Sequence, residues 1–390
     1  MKRFLIILLV AIILVLGGFF ILNLFFGFTN YQTNEKTSVS STAVDESVAT
    51  TSSSEKKDPI KEVVANMTLE EKVGQLFFVR VPEVNQIEDI ATYHLGGYVL
   101  FGRDMENESQ TSLTQKIASY QAASKIPLLI GSDEEGGTVT RVSQNANLVA
   151  EPFASPQALY AAGGFAAIKS DTINKAKVLH DFGINAGLFP IADVATDPNA
   201  FIYDRTIGLD AQGTSEYVET VVKALKGEKS GSTLKHFPGY GNNRDSHVEI
   251  VRDTRSLKEL RETDFKPFKA GIKAGADSVL VSHNIIDGID KTKPASISKA
   301  VHDVLRSELR FDGVIMTDDM DMAGLADFIS QADAGLAALK AGNDLIMSSS
   351  YQVQIPRILT AVKSGEYSEE ALDTAVMHVL TWKKNLGLIS

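Results

Sequence analysis

Residues 127–138 read P-L-L-I-G-S-D-E-E-G-G-T, a short apolar run that stops on three consecutive carboxylates and a pair of glycines. The run shows no polar–apolar alternation, so it predicts a strand buried on both faces, as in a parallel sheet covered by helices. The same grammar recurs along the chain. Comparable runs occupy 76–81, 97–101, 184–194, 232–236, 277–282, 313–317 and 344–347, which with the first makes eight. Longer helical patterns separate them, and parallel strands need such crossovers. Eight units in this length suit an α/β fold of the (β/α)8 TIM-barrel type better than an open doubly wound sheet.

Composition narrows the classes of function. The 390 residues are 44% apolar and 22% charged, which is ordinary for a globular protein able to bury a large core. A net charge of −11 argues against nucleic acid as a partner, since that depends on clustered cations. With no cysteine, disulfides, thiolate metal sites and a cysteine nucleophile are excluded. No metal-ligand motif stands out, and no cofactor is expected.

The N-terminus is different material. Lys2 and Arg3 precede a nearly unbroken apolar run over residues 4–28, interrupted by Asn23 and a Gly17-Gly18 pair. As a helix it would rise roughly 37 Å, enough to cross a hydrocarbon layer of about 30 Å. The expectation is a transmembrane signal anchor over 1–28, with Lys2 and Arg3 cytoplasmic and the rest of the chain outside the cell membrane. A cleaved signal peptide is the rival, although no A-x-A-like site follows Phe28. Residues 29–59 hold 13 serines or threonines and little apolar bulk, and read as a linker. The folded domain is expected over 60–390, opening with a capping box at Thr68-Leu69-Glu70-Glu71 and closing with an amphipathic helix over 368–384.

In a barrel the chemistry sits just past the C-terminal ends of the strands, because the βα loops converge there. Those positions read Asp133-Glu134-Glu135, Asp193, Lys235-His236, His283-Asn284, Asp318-Asp319 and Ser348-Ser349-Ser350. One mouth collecting them predicts a mostly anionic, hydrogen-bonding pocket for a neutral polyhydroxylated ligand. The fifth run continues as K-H-F-P-G-Y-G-N-N-R-D-S-H over 235–247. Pro238, Gly239 and Gly241 forbid a helix, which leaves a loop carrying Asp245 and His247. An imidazole near pKa ~6.5 with a carboxylate to fix its tautomer suits general acid/base work. Asp318, on a rigid strand end, suits a nucleophile; that pairing resembles retaining glycoside hydrolysis. Asp319 and Asp321 fit helix caps better than Asp318 does. Asp133, Arg141 and Arg205 suit the binding of hydroxyls or an acyl group, with internal salt bridges the alternative for both arginines.

Four motifs then resemble glycoside hydrolase family 3, specifically its single-barrel β-N-acetylglucosaminidase branch: M-T-L-E-E-K-V-G-Q-L-F, D-E-E-G-G-T-V-T-R, K-H-F-P-G-Y-G-N-N-R-D-S-H and G-V-I-M-T-D-D-M. The resemblance runs from about residue 60 to the C-terminus. It implies Asp318 as nucleophile, His247 as acid/base assisted by Asp245, and sugar contacts from Asp133, Arg141, Arg205, Lys235 and His236. It also implies a carbohydrate substrate with terminal β-linked N-acetylglucosamine, cell-wall muropeptides being usual. Tyr240 stands where members usually carry histidine, Asn242-Asn243 where an Asp-Thr pair is usual, and Thr138 where arginine is common. The alternatives are a phosphorylase or β-glucosidase of the same family, a Schiff-base enzyme using Lys235, and a noncatalytic sugar-binding wall protein.

Overall fold

Each of the eight apolar runs contributes a strand to the computed structural model, which describes residues 59–244, 250–326 and 328–390. The strands are β1 (Phe77–Arg80), β2 (Gly97–Leu100), β3 (Leu129–Ser132), β4 (Ala186–Gly187), β5 (Thr233–Phe237), β6 (Arg252–Asp253), β7 (Ser278–Val281), β8 (Ile285–Ile286), β9 (Val314–Thr317) and β10 (Ile346–Ser348). One sheet runs β10-β1-β2-β3-β4 and another β5-β7-β9, parallel throughout. Parallel bridges Ala186–Gly231 and Ile191–Lys235 join β4 to β5, and Met316–Leu345 joins β9 to β10. Main-chain pairing therefore closes into a ring, a TIM-like α/β fold. Strands β2, β3, β7 and β9 are buried along their whole length, which is why they read as mainly apolar runs; β5 is buried too but carries Lys235 and His236.

The crossover helices follow the expected order. Ala211–Gly227, after β4, is typical: Val218, Val221, Val222 and Leu225 recur at helical spacing and are buried, while Asp210 caps the start through the amides of Gln212 and Gly213. The capping box at Thr68 forms as read, with Thr68 Oγ1 accepting from the Glu71 amide at 3.2 Å and Glu71 Oε2 from the Thr68 amide at 2.9 Å. The closing helix spans Glu369–Asn385 and is capped by Ser368.

Two expectations change. The run at 184–194 does not form one long strand; only Ala186–Gly187 is regular, with a single further bridge at Ile191. Pro190 has no amide hydrogen, so the ladder cannot continue through it. The short strands β6 and β8 pair in parallel and were not read from sequence, because two-residue segments carry no periodicity. The anchor read over 1–28, and all of the 29–59 linker but Pro59, lie outside the described residues. Among the described residues no helix is long and apolar enough to cross a membrane.

Candidate active site

Past the C-terminal ends of the strands lies a cavity of about 440 Å³ that gathers side chains from across the ring. Its wall includes Asp133, Arg141, Arg205, Lys235, His236 and Asp318, so these six predicted site residues, drawn from distant parts of the chain, come together. The other two, Asp245 and His247, lie outside the described residues.

The cradle is built from ion pairs. Lys235, at 3% exposure, extends from β5 to Asp133 Oδ1 at 2.5 Å and to Glu135 Oε1 at 2.7 Å. Arg205 grips Glu135 as a fork, Nε to Oε2 at 3.0 Å and Nη2 to Oε1 at 2.8 Å. Burial alone would push the Glu135 carboxyl up; the Arg205 and Lys235 charges overcome that and hold it well below the usual carboxylate range. Lys235 is thus committed to two carboxylates, unlike an amine freed to form a Schiff base.

Hydrogen-bond accounting fixes the state of His236. Arg205 Nη2 lies 3.3 Å from His236 Nε2, and a guanidinium can only donate, so Nε2 accepts. The proton then sits on Nδ1, which donates to Asp193 Oδ2 at 2.8 Å. Asp193 also accepts from the amides of His236 at 3.0 Å and Tyr240 at 2.7 Å. It is the post that orients the imidazole and the start of the following loop.

Arg141 reaches the site because Glu134 pins its turn, accepting from the amides of Arg141 at 3.0 Å, Val142 at 2.7 Å and Ser143 at 3.3 Å. Its Nη2 lies 3.8 Å from Asp133 Oδ2, so Asp133 faces both Arg141 and Lys235. Among the described residues the long contact to Asp133 is the one ion pair Arg141 makes, beside a donation from Nη1 to the Thr140 carbonyl at 3.3 Å, whereas Arg205 is the internal salt-bridge partner the sequence left as an alternative.

Asp318 ends β9. Its amide donates to the Val281 carbonyl at 2.9 Å, and its Oδ1 accepts from the Asp319 amide at the same distance. The neighbouring carboxylates are not helix caps, contrary to expectation. Asp319 pairs with Arg80 at the end of β1, while Asp321 accepts from Ser348 Oγ at 3.0 Å and from the Ser349 and Ser350 amides, so the first ties the end of β9 to β1, beyond β10, and the second ties it to β10 itself. The helix after them, Ala323–Ala326, begins beyond the turn that these carboxylates serve: the Asp321 carboxylate is taken up by Ser348–Ser350, and Asp319 Oδ1 accepts from the Asp321 amide at 2.9 Å. Burial pushes the Asp319 carboxyl up, with the Arg80 charge opposing.

Other strand-end residues turn inward. His283 is buried, with Nδ1 2.7 Å from Ser296 Oγ and Nε2 2.9 Å from the Asp319 carbonyl, and stays off the cavity wall. The described wall is also not mostly anionic: Arg80, Arg141, Arg205 and Lys235 outnumber Asp133, Asp318 and Asp319. Sequence reasoning missed Arg80, Phe101 and Phe201. Arg80 carried a readable signal, a cation closing the otherwise apolar F-F-V-R of β1; its guanidinium stacks 4.5 Å from the Phe101 ring centre. Among the described residues no cluster of histidines and carboxylates is arranged to hold a metal ion.

Comparison with known proteins agrees with this architecture. The family model described as "Glycosyl hydrolase family 3 N terminal domain" matches residues 68–382. A beta-hexosaminidase of Xanthomonas campestris pv. campestris (strain B100) is 35% identical over 259 residues, 65% of this chain and 76% of that protein. Among solved structures, a glycoside hydrolase family 3 beta-N-acetylglucosaminidase from Paenibacillus sp. str. FPU-7 superposes with a TM-score of 0.77 at 28% identity, covering 83% of this chain and 63% of that longer one. M tuberculosis LpqI gives 0.76 at 28% identity, covering 83% of this chain and 96% of that one.

Proposed function

This chain belongs to glycosyl hydrolase family 3 and is a glycoside hydrolase, and from that premise we propose that it removes terminal β-linked N-acetylglucosamine by a retaining, exo-acting mechanism through a glycosyl-enzyme on Asp318. The observation that carries the reading is Asp318 at the end of a rigid strand, sharing one cavity with the Asp133–Lys235–Glu135–Arg205 cradle.

In the first step the Asp318 carboxylate attacks the anomeric carbon while His247, on the loop after β5, protonates the departing oxygen. In the second the same imidazole, now neutral, takes a proton from water as it attacks the glycosyl ester, and Asp318 leaves. Asp245 would hold the imidazole in one tautomer and stabilise its cation. Asp133 can accept from two sugar hydroxyls at once, while Lys235 and Arg141 hold its carboxylate in place. His236 presents an oriented ring to the same sugar. The names of the relatives support the acetamido preference, and muropeptides of the cell wall are the proposed natural substrate. The apolar run at 4–28 supports an exported, membrane-tethered enzyme.

The test uses a chromogenic β-N-acetylglucosaminide, with the β-glucoside as control. The wild type should prefer the former, and NMR should show the β-anomer of the sugar released first. Asp318→Ala should lose at least about a thousandfold in kcat, as expected for removal of a nucleophile. Turnover by Asp318→Ala at the wild-type rate would refute the assignment, and sugar 1-phosphate formed in phosphate buffer would make the enzyme a phosphorylase. For the tether, the full chain should sediment with membranes and a chain starting at Ile60 should not.

A further inference from the structure

The loop that leaves β5 returns at β6, and both of its feet are tied to one side chain, Arg255. On the outgoing foot Arg255 Nη2 donates to the Gly239 carbonyl at 2.9 Å. On the returning foot Nε and Nη2 bind Asp253 Oδ2 at 3.0 and 2.6 Å, and the Arg255 amide donates to Asp253 Oδ1 at 2.9 Å. The remaining nitrogen, Nη1, meets Asp264 Oδ2 at 2.7 Å, just before the helix Phe265–Ala274. Both carboxylates are buried, with side chains 1% exposed, so the guanidinium is the counter-charge each one faces.

The glycines of the P-G-Y-G turn belong to the same contact. A Cβ on Gly239 would stand 2.2 Å from Asp264 Oδ1, and one on Gly241 2.5 Å from Arg255 Nη1. Both have positive φ, 117° and 54°, so the outgoing foot lies flat on the Arg255–Asp264 pair in a backbone shape that glycine favours. The returning foot is held a second way, since Arg252 and Asp253 pair with Ile285 and Ile286 beyond β7.

Resting on the reading of His247 as the acid/base, we propose that Arg255 is a positioning residue for proton transfer: it fixes where the loop leaves and rejoins the barrel, and through that where the imidazole meets the glycosidic oxygen. It touches neither substrate nor reacting atoms. Lysine cannot replace it, because one ammonium lacks the planar fork needed to bind two carboxylates and a carbonyl in different directions.

The effect should appear as a dependence on the leaving group. A 2,4-dinitrophenolate departs without a proton, whereas a 4-nitrophenolate gains from one and an alkoxide requires it. In the full chain, kcat/KM is compared for 2,4-dinitrophenyl, 4-nitrophenyl and methyl β-N-acetylglucosaminides, with His247→Ala as reference. Arg255→Ala and Arg255→Lys should raise the dinitrophenyl-to-methyl ratio at least about tenfold, in the same direction as His247→Ala, since general acid catalysis is worth about a hundredfold or more. Gly241→Ala, which displaces the guanidinium while leaving it present, should give the same signature and serves if the Arg255 variants fail to fold. Folded variants that lose activity equally on all three substrates, or keep the wild-type ratio, would overturn the proposal. If His247→Ala itself leaves the ratio unchanged while the wild type hydrolyses, the acid/base assignment falls, and this inference with it.

Discussion

Glu135 shows how a side chain can govern the site without lying on the cavity wall. It is buried, it accepts a fork from Arg205, and it shares Lys235 with Asp133. Glu135→Gln removes a charge that two buried cations face, so unfolding in urea should show a loss of about 3 kcal/mol, in the range for breaking a buried ion pair from one side. The sign of its pH dependence follows from the lowered carboxyl. The stabilisation is fully present above the ordinary value of 4.5 and is lost as pH falls toward the folded value, so the gap between wild type and Glu135→Gln should be constant near neutrality and narrow in acid. A gap that widens in acid would contradict the ion-pair account. At this scale the strand-end rule recovered Asp133, Lys235, His236 and Asp318, because a polar residue closing an apolar run is visible in one dimension. It would have recovered Arg80 too had it been applied to β1. Phe201 was not recoverable that way: it sits in a loop whose path is set by turns such as Ala200 on Asp197 and Tyr203 on Ala200, and no period marks such a residue.

Elements were legible to the degree that water dictates their pattern. Strands β2, β3, β7 and β9 see no solvent on either face, so their sequences are uniformly apolar and their positions were read to within a few residues. β4 was overread because residues 184–193 stay buried after its ladder ends, and burial alone does not distinguish strand from tucked-in coil. Caps are the other readable signal, since they join two side chains to two amides within four residues. Thr68 tests this for the helix Leu69–Gln75. Thr68→Ala removes the acceptor of the Glu71 amide, while the reciprocal bond from the residue-68 amide to Glu71 Oε2 and the Glu71–Lys125 pair at 2.6 Å can stay. The expected loss is about 1 kcal/mol of stability. The helix contributes no residue to the cavity wall, so KM should not move; a changed KM with unchanged stability would show that the cap acts on the site instead.

At the scale of the whole molecule, ends of the sequence far apart in the chain must meet. The closing helix Glu369–Asn385 packs on Pro59–Ala65 and Leu69–Gln75, through Lys72 to Asp373 at 2.6 Å and through Lys383 Nζ to Gln75 Oε1 at 2.7 Å. Neither contact was readable, because pairings more than three hundred residues apart leave no local trace. Lys383 is fully buried, and that burial lowers its pKa from 10.5 to about 7. Below about pH 7 both folded and unfolded chains carry the proton, and the folded state bears the full cost of a buried charge. Between about 7 and 10.5 the unfolded chain holds a proton the folded one has released, so raising pH through this window stabilises the fold. Lys383→Met fills the same volume without the ammonium, and leaves Gln75 Oε1 short of one donor, a smaller cost of about 1 kcal/mol. The variant should therefore melt higher than the wild type near pH 6.5, with the advantage shrinking steadily toward pH 9.5 as wild-type Lys383 sheds its proton. Paired melting curves at those two values decide the matter: an advantage that is absent, or that grows with pH, would mean the lysine is not buried as a strained charge at the seam where the two ends of the domain close.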